Sequence, residues 1–130
     1  MRRQSRELAL QILFQTEFAP QISYAQFLEV YETTFTDDVI DYADQLIQGV
    51  KKNVVELDQK IQAYSQNWKL ERMALIDKNL LRMAVFEMKY LNPPVEGKVV
   101  INETLEIAKK FSTTESSSFI NGLLDAIAKS

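Results

Sequence analysis

Arg2, Arg3 and Arg6 open the chain with no acid among them. Arg3, Arg6, Leu10, Phe14 and Phe18 recur at steps of three and four, so in a helix they stack along one face. Guanidinium groups hold phosphate, and an aromatic ring offers a stacking face to an unstacked base; together they suit single-stranded RNA. The same spacing also fits a central helix buried on both sides, its arginines emerging at one end. Both readings stand at this point. If all three arginines meet phosphates of a single strand, the slope of log K against log salt is roughly −2. One stacked ring adds about 1–3 kcal/mol. That footprint is small for a chain of net charge −3, so a partner extending the RNA surface is expected.

Other chemistry is poorly provided for. With no cysteine and no histidine, the usual nucleophile–base dyads cannot be built and the commonest metal ligand is missing. Glu103/Glu106 and Asp37/Asp38/Asp41 have the spacing of solvated helix faces. No glycine-rich phosphate loop and no metal-ligand spacing is present. Catalytic activity, a cofactor and a metal are therefore not expected. A nucleic-acid-binding module, a protein-interaction domain or a structural subunit remains.

The charge is unevenly spread. Residues 7–50 hold eight acids (Glu7, Glu17, Glu29, Glu32, Asp37, Asp38, Asp41 and Asp44) and no Lys or Arg, whereas residues 51–130 hold 12 basic and 10 acidic residues. A basic cluster beside an acidic flank would orient the molecule on a polyanion.

The elements that must carry these residues read as helices. With 130 residues, three Gly and three Pro, one domain of long helices is expected, and no segment alternates with period two. Arg3 to about Phe18 is a helix with Ser5, Leu8, Ala9, Ile12, Leu13 and Thr16 toward the core. Ser23 and Gln26 have capping-box spacing for a short helix to about Thr33. The stripe from Val39 to Tyr64 predicts one helix over 37–65, with Gly49 weakening it or permitting close packing. Residues 67–73 read as a turn or a short helical piece, with Trp68 expected largely buried. Leu75 to Leu91 is apolar over so much of its surface that it should be central. The last third, 99–128, reads as two amphipathic helices around a Ser/Thr-rich turn. Ile101, Leu105, Ala108 and Phe111 supply the first stripe, with Val100 and Ile107 widening it. Ile120, Leu123, Leu124 and Ile127 supply the second. Ser112 and Glu115 have capping-box spacing at the turn, and Glu106–Lys110 is an i,i+4 pair.

Four blocks of residues carry a resemblance. The first is Arg2-Arg3-x-x-Arg6-Glu7-x-Ala9-x-Gln11-x-Leu13, and the second Trp68-x-Leu70-Glu71-Arg72. The third is Ile76-Asp77-x-x-x-Leu81-Arg82-x-Ala84-x-x-Glu87. The last runs Val99-x-Ile101-Asn102-Glu103-x-x-Glu106-x-Ala108-Lys109-x-Phe111 and closes with Phe119-Ile120-Asn121-Gly122-x-Leu124-Asp125. In this order they span nearly the whole chain, which resembles the NusB family of bacterial transcription antitermination factors.

The resemblance implies an all-α fold of two small helical bundles packed across one another, about six to seven helices, with bundles near 1–66 and 67–130 in a single domain. It implies a heterodimer with NusE, a small-subunit ribosomal protein, bound to single-stranded boxA RNA in an RNA polymerase antitermination complex on ribosomal RNA operons. Residue by residue it implies RNA contact for Arg2, Arg3, Arg6, Phe14, Glu115, Ser118 and Phe119, and partner contact for Asp77 and Glu71. Phe14 stands where the family often has Tyr, Ser118 can replace a Lys, and Ser112 stands where Gly is common. Phe119 lies one step off the last apolar stripe, so half-burial and exposure to a base are both open. Asn102 and Asn121 suit helix-end or inter-helix hydrogen bonds. The same domain occurs ahead of ribosomal RNA cytosine methyltransferases, so a stand-alone regulatory RNA-binding domain is an alternative. A homodimeric interaction module that hides the arginine face is another. The turn at 112–119 is expected beside the arginine end of the first helix. The N-terminus lacks the apolar run of a secretory signal, and a cytoplasmic location is expected.

Overall fold

A computed structural model describes residues 2–130. It holds seven α-helices: α1 Arg3–Phe18, α2 Tyr24–Tyr31, α3 Asp37–Lys52, α4 Val54–Tyr64, α5 Leu75–Lys89, α6 Gly97–Phe111 and α7 Thr114–Ala128. A short 3-10 turn, Leu70–Arg72, joins α4 to α5, and no strand occurs among the described residues. The all-helical expectation holds.

α5 is the hub, packing against α1, α3, α4, α6 and α7. Leu80, Leu81, Met83, Ala84, Val85, Phe86 and Met88 are all buried, as a helix apolar nearly all round must be. α1 packs mainly on α3 and α5, burying Ser5, Leu8, Ala9, Ile12, Leu13 and Thr16 on one side and Arg6 and Leu10 on the other. It is thus covered on both faces near its start, and Phe18 emerges at its end. α2 begins with a complete capping box: Gln26 N–H donates to Ser23 Oγ at 3.3 Å and Ser23 N–H to Gln26 Oε1 at 3.0 Å.

The predicted long helix over 37–65 is two helices. The Asn53 side chain donates to the Gly49 carbonyl at 2.8 Å, and Asn53 leaves helical geometry with φ −111° and ψ 17°. The apolar stripe continues across the break, with Val50, Leu57 and Ile61 all buried. Periodicity alone therefore could not show the break. Gly49 serves close packing: a Cβ there would lie 2.1 Å from Cζ of Phe86.

Three further expectations are corrected. Trp68 is 62 % exposed, because Leu70 fills the interior at this turn while the Trp68 carbonyl is fixed by Gln62 and Ser65, each at 2.9 Å. The buried face of α6 is Val100, Thr104, Ile107 and Ala108. Ile101 and Leu105 sit at its edge and Phe111 is exposed, a rotation that lets α6 cover both α5 and α7. The cap of α7 is Thr113, whose hydroxyl accepts from Ser116 N–H at 3.0 Å, because the Ser112 hydroxyl is engaged elsewhere.

Candidate nucleic-acid interface

Two groups of residues, at opposite ends of one seam, hold the side chains that could meet a nucleic acid. The first is the N-terminal arginine cluster. Arg6 projects from α1 toward α5 and is only 4 % exposed; Glu87, on α5, is 1 % exposed. Their pair is bidentate, Arg6 Nε to Glu87 Oε1 at 2.8 Å and Nη2 to Oε2 at 2.7 Å. Tyr42 of α3 donates its phenol to the same carboxylate. A carboxylate inside an apolar helix demands such partners, since an unpaired buried charge is strongly destabilising. Burial opposes the Arg6 charge, but the hydrogen bonds and charge of Glu87 more than offset it and hold the guanidinium above its ordinary pKa. Burial, with the bond to Glu87, pushes the Tyr42 phenol well above its ordinary value.

Arg3, nearer the surface, is gripped by α6. Its Nε donates to Glu103 Oε1 at 3.0 Å and its Nη2 to Oε2 at 2.8 Å. Arg6 Nη1 stands 3.8 Å from Oε1 of Glu103, so this carboxylate sits between two arginines. Arg3's hydrogen bonds hold Glu103 below the usual carboxylate value. Arg2 is exposed, its guanidinium carbon 4.0 Å from the centroid of the Tyr42 ring, a cation–π distance. Beside it a concavity is lined by Tyr42, Gln45, Pro93, Pro94 and Val99.

One helical turn along the seam, Lys110 of α6 reaches Glu7 of α1 at 3.0 Å. Lys109 takes Glu106 at 2.8 Å, so the expected Glu106–Lys110 pair is replaced by an i,i+3 pair and a bond between helices. Arg3 meeting Glu103 and Glu7 meeting Lys110 means that α1 and α6 run in the same direction here. The α6–α7 corner therefore follows Lys110, toward the Phe14 end of α1. It lies roughly 14 Å along α6 from Glu103. The expectation that it adjoins the arginine end is corrected by this parallel course.

The second group surrounds the corner. Ser112 Oγ donates to Asp77 Oδ1 at 2.6 Å, tying the corner to the first turn of α5. Asp77 is only 6 % exposed. Phe119 is half-buried and Trp68 stands edge-on to it, ring centroids 6.0 Å apart. With Arg72, Met73, Asp77, Thr113, Glu115 and Ser116 they line a cleft of about 330 Å³. Glu115 and Ser118 are exposed on α7, and Glu71 on the 3-10 turn. Phe14 is half-buried with its ring 4.9 Å from that of Phe18. Asn102 and Asn121 are exposed.

Of the residues singled out in the sequence, Arg2 and Arg3 stand at the surface of the first group, and Glu115, Ser118 and Phe119 at the second. Phe14 belongs to the α1 side, and Arg6 is an interior residue. Sequence reasoning missed Tyr42, Glu87 and Glu103 as the groups that hold the arginines. The available signal was Glu87 itself, a lone carboxylate in the run Met83-Ala84-Val85-Phe86-Glu87-Met88. It also missed Trp68 as a surface ring.

Residues 3–129 match the model of the NusB family. Over 128 residues the chain is 59% identical to the transcription antitermination protein NusB of Bdellovibrio bacteriovorus, covering 98% of this chain and 95% of that protein. Against the NusB of Myxococcus xanthus the identity is 44%, covering 98% and 94%. The fold is similar to a solved structure of T. maritima NusB, with TM-score 0.90, 35% identity and coverage of 99% of this chain and 91% of that one. It is also similar to a chain in a complex of the antitermination factors NusB and NusE with double-stranded RNA, with TM-score 0.85, 25% identity and coverage of 98% and 96%.

Proposed function

The chain belongs to the NusB family, and from that membership we propose that it is a non-enzymatic transcription antitermination factor. It binds single-stranded boxA-type RNA as a heterodimer with NusE and promotes processive transcription of ribosomal RNA operons. The observation that carries this reading is the placement of Arg2 and Arg3, held at the surface on the Tyr42 ring and the Glu103 carboxylate. Fixed guanidinium groups lose little freedom on meeting phosphate, and Arg3 keeps the outer edge of its fork free.

RNA runs along the α1–α6 seam from Arg2 and Arg3 toward Phe14 and the corner at Glu115, Ser118 and Phe119. Phosphate contacts fall at the first end and base stacking at the second. Arg6 acts from beneath by fixing Glu87 and Tyr42. Asp77 and Glu71 border the corner on the side of α5, where NusE docks; the buried Asp77 shapes that surface through Ser112 more than it touches the partner. The related complex of NusB and NusE with double-stranded RNA supports NusE and RNA as the classes of partner, and the single-stranded boxA element rests on the family resemblance.

Transcription in vitro through a ribosomal RNA leader bearing boxA and a downstream terminator tests the reading. Adding this protein with NusE raises readthrough, and mutating boxA abolishes the increase. Readthrough that is unchanged by the protein, or equal with mutated boxA, overturns it.

A further inference from the structure

On the α1–α6 face, cations and carboxylates come in matched sets. Arg3 is bound to Glu103, Lys109 to Glu106 and Lys110 to Glu7, while Arg6 is turned inward onto Glu87 of α5. Arg2 instead lies over a neutral ring. A cation displaces a counterion from RNA only to the extent that it brings uncompensated charge to a phosphate. A guanidinium that already shares two hydrogen bonds with a carboxylate brings its geometry but little net charge.

We infer that Glu103, through its two bonds to Arg3, is a specificity-determining residue that suppresses sequence-independent attraction to RNA. The inference rests on the RNA-binding reading above. Glu103 occupies the Nε–Nη2 edge of Arg3 and stands 3.8 Å from Arg6 Nη1. It fixes the direction of the remaining Arg3 donors, so that a phosphate must arrive at one place to be bound. An unpaired arginine would swing to any phosphate within its reach. Sequence-independent affinity arises almost wholly from such contacts, whereas base stacking and hydrogen bonding discriminate between sequences. Neutralising the cations in place therefore weakens binding to wrong RNAs more than to the right one. Glu7 does the same for Lys110, a more exposed cation than Arg3. Three N-terminal arginines then count for far fewer than three in the salt dependence.

The test titrates the complex of this protein with NusE against a boxA-type single strand and a scrambled strand of equal composition, from 50 to 200 mM salt. Wild type is compared with Glu103→Gln and with Glu7→Gln, which frees Lys110, a cation whose side chain is 61 % exposed. In each variant the slope steepens by about 0.7, which adds roughly a 2.6-fold loss across that salt range. The scrambled RNA binds more tightly at 50 mM, and the ratio between the two RNAs shrinks. A wild-type complex that binds RNA while both variants keep its slope and its discrimination overturns this inference alone. So does a parallel loss of affinity for both strands in variants that melt like wild type. A wild-type complex that binds neither strand at 50 mM overturns the RNA-binding reading, and this inference with it.

Discussion

Arg6 and Glu87, 81 positions apart in the chain, form a bidentate pair that is almost wholly enclosed between α1, α3 and α5. The N-terminal arginine motif thus divides into an interior member and two surface members. Replacing Arg6 by Ala leaves Glu87 charged and without its main partner, which costs about 3–5 kcal/mol. Urea denaturation of Arg6→Ala should show a midpoint far below wild type. The triple variant Arg6→Met, Glu87→Leu, Tyr42→Phe, which removes charge and phenol together, should recover most of the loss. RNA-binding losses in Arg6 variants are then read against this loss of fold.

Gly49 faces the ring of Phe86, which a Cβ would enter at 2.1 to 2.5 Å. Gly49→Ala should destabilise the protein by about 1–3 kcal/mol through overpacking, although alanine is the better helix former. A melting curve of Gly49→Ala with Phe86→Leu should recover part of the loss. If the single substitution raises Tm, α3 and α5 are not packed this closely.

Asp77, in the first turn of α5, receives the Ser112 hydroxyl from the α6–α7 corner. Asp77→Lys buries an unmatched cation here and should lower Tm as well as partner binding, so it does not isolate the partner surface. Ser112→Ala leaves the buried Asp77 carboxylate without its donor and should cost about 1–3 kcal/mol, while Glu71→Lys, at an exposed site, should leave Tm unchanged. Pull-down of NusE by folded Glu71→Lys protein reports on the surface alone, and reduced capture is expected.

Arg3's hydrogen bonds depress the pKa of Glu103. A carboxylate whose folded pKa lies below its unfolded value contributes stability that is fully present above the unfolded value. That contribution is lost as the pH falls through the folded one. Stability measured from pH 7 downward should therefore fall on the acid side in wild type and fall less steeply in Glu103→Gln. Identical acid limbs in the two proteins would show that the pair contributes nothing to the fold.

Local patterning made much of this architecture legible. The Ser23–Gln26 box, the core face of α1 and the stripe Ile120–Leu123–Leu124–Ile127 depend on neighbours within two turns. What escaped depends on distant partners. The α3–α4 break rests on one side-chain bond at Asn53 inside an unbroken stripe. The rotation of α6 follows from having two helices to cover, so Val100 and Thr104 go inward and Phe111 outward. At the candidate site the arginines and the corner residues could be named from spacing and resemblance, but not the carboxylates and ring that hold Arg2, Arg3 and Arg6. Those come from α3, α5 and α6 and meet α1 only in the folded protein.

Fluorescence anisotropy of a labelled boxA-type single strand, titrated with this protein, with NusE and with the two together, tests the central claim most directly. The account predicts weak, salt-sensitive binding by each protein alone and much tighter binding by the pair, reduced when Arg2 and Arg3 are both replaced by Ala in a protein that melts like wild type. Binding by the pair no tighter than by its better member, or unchanged by the double replacement, would contradict it.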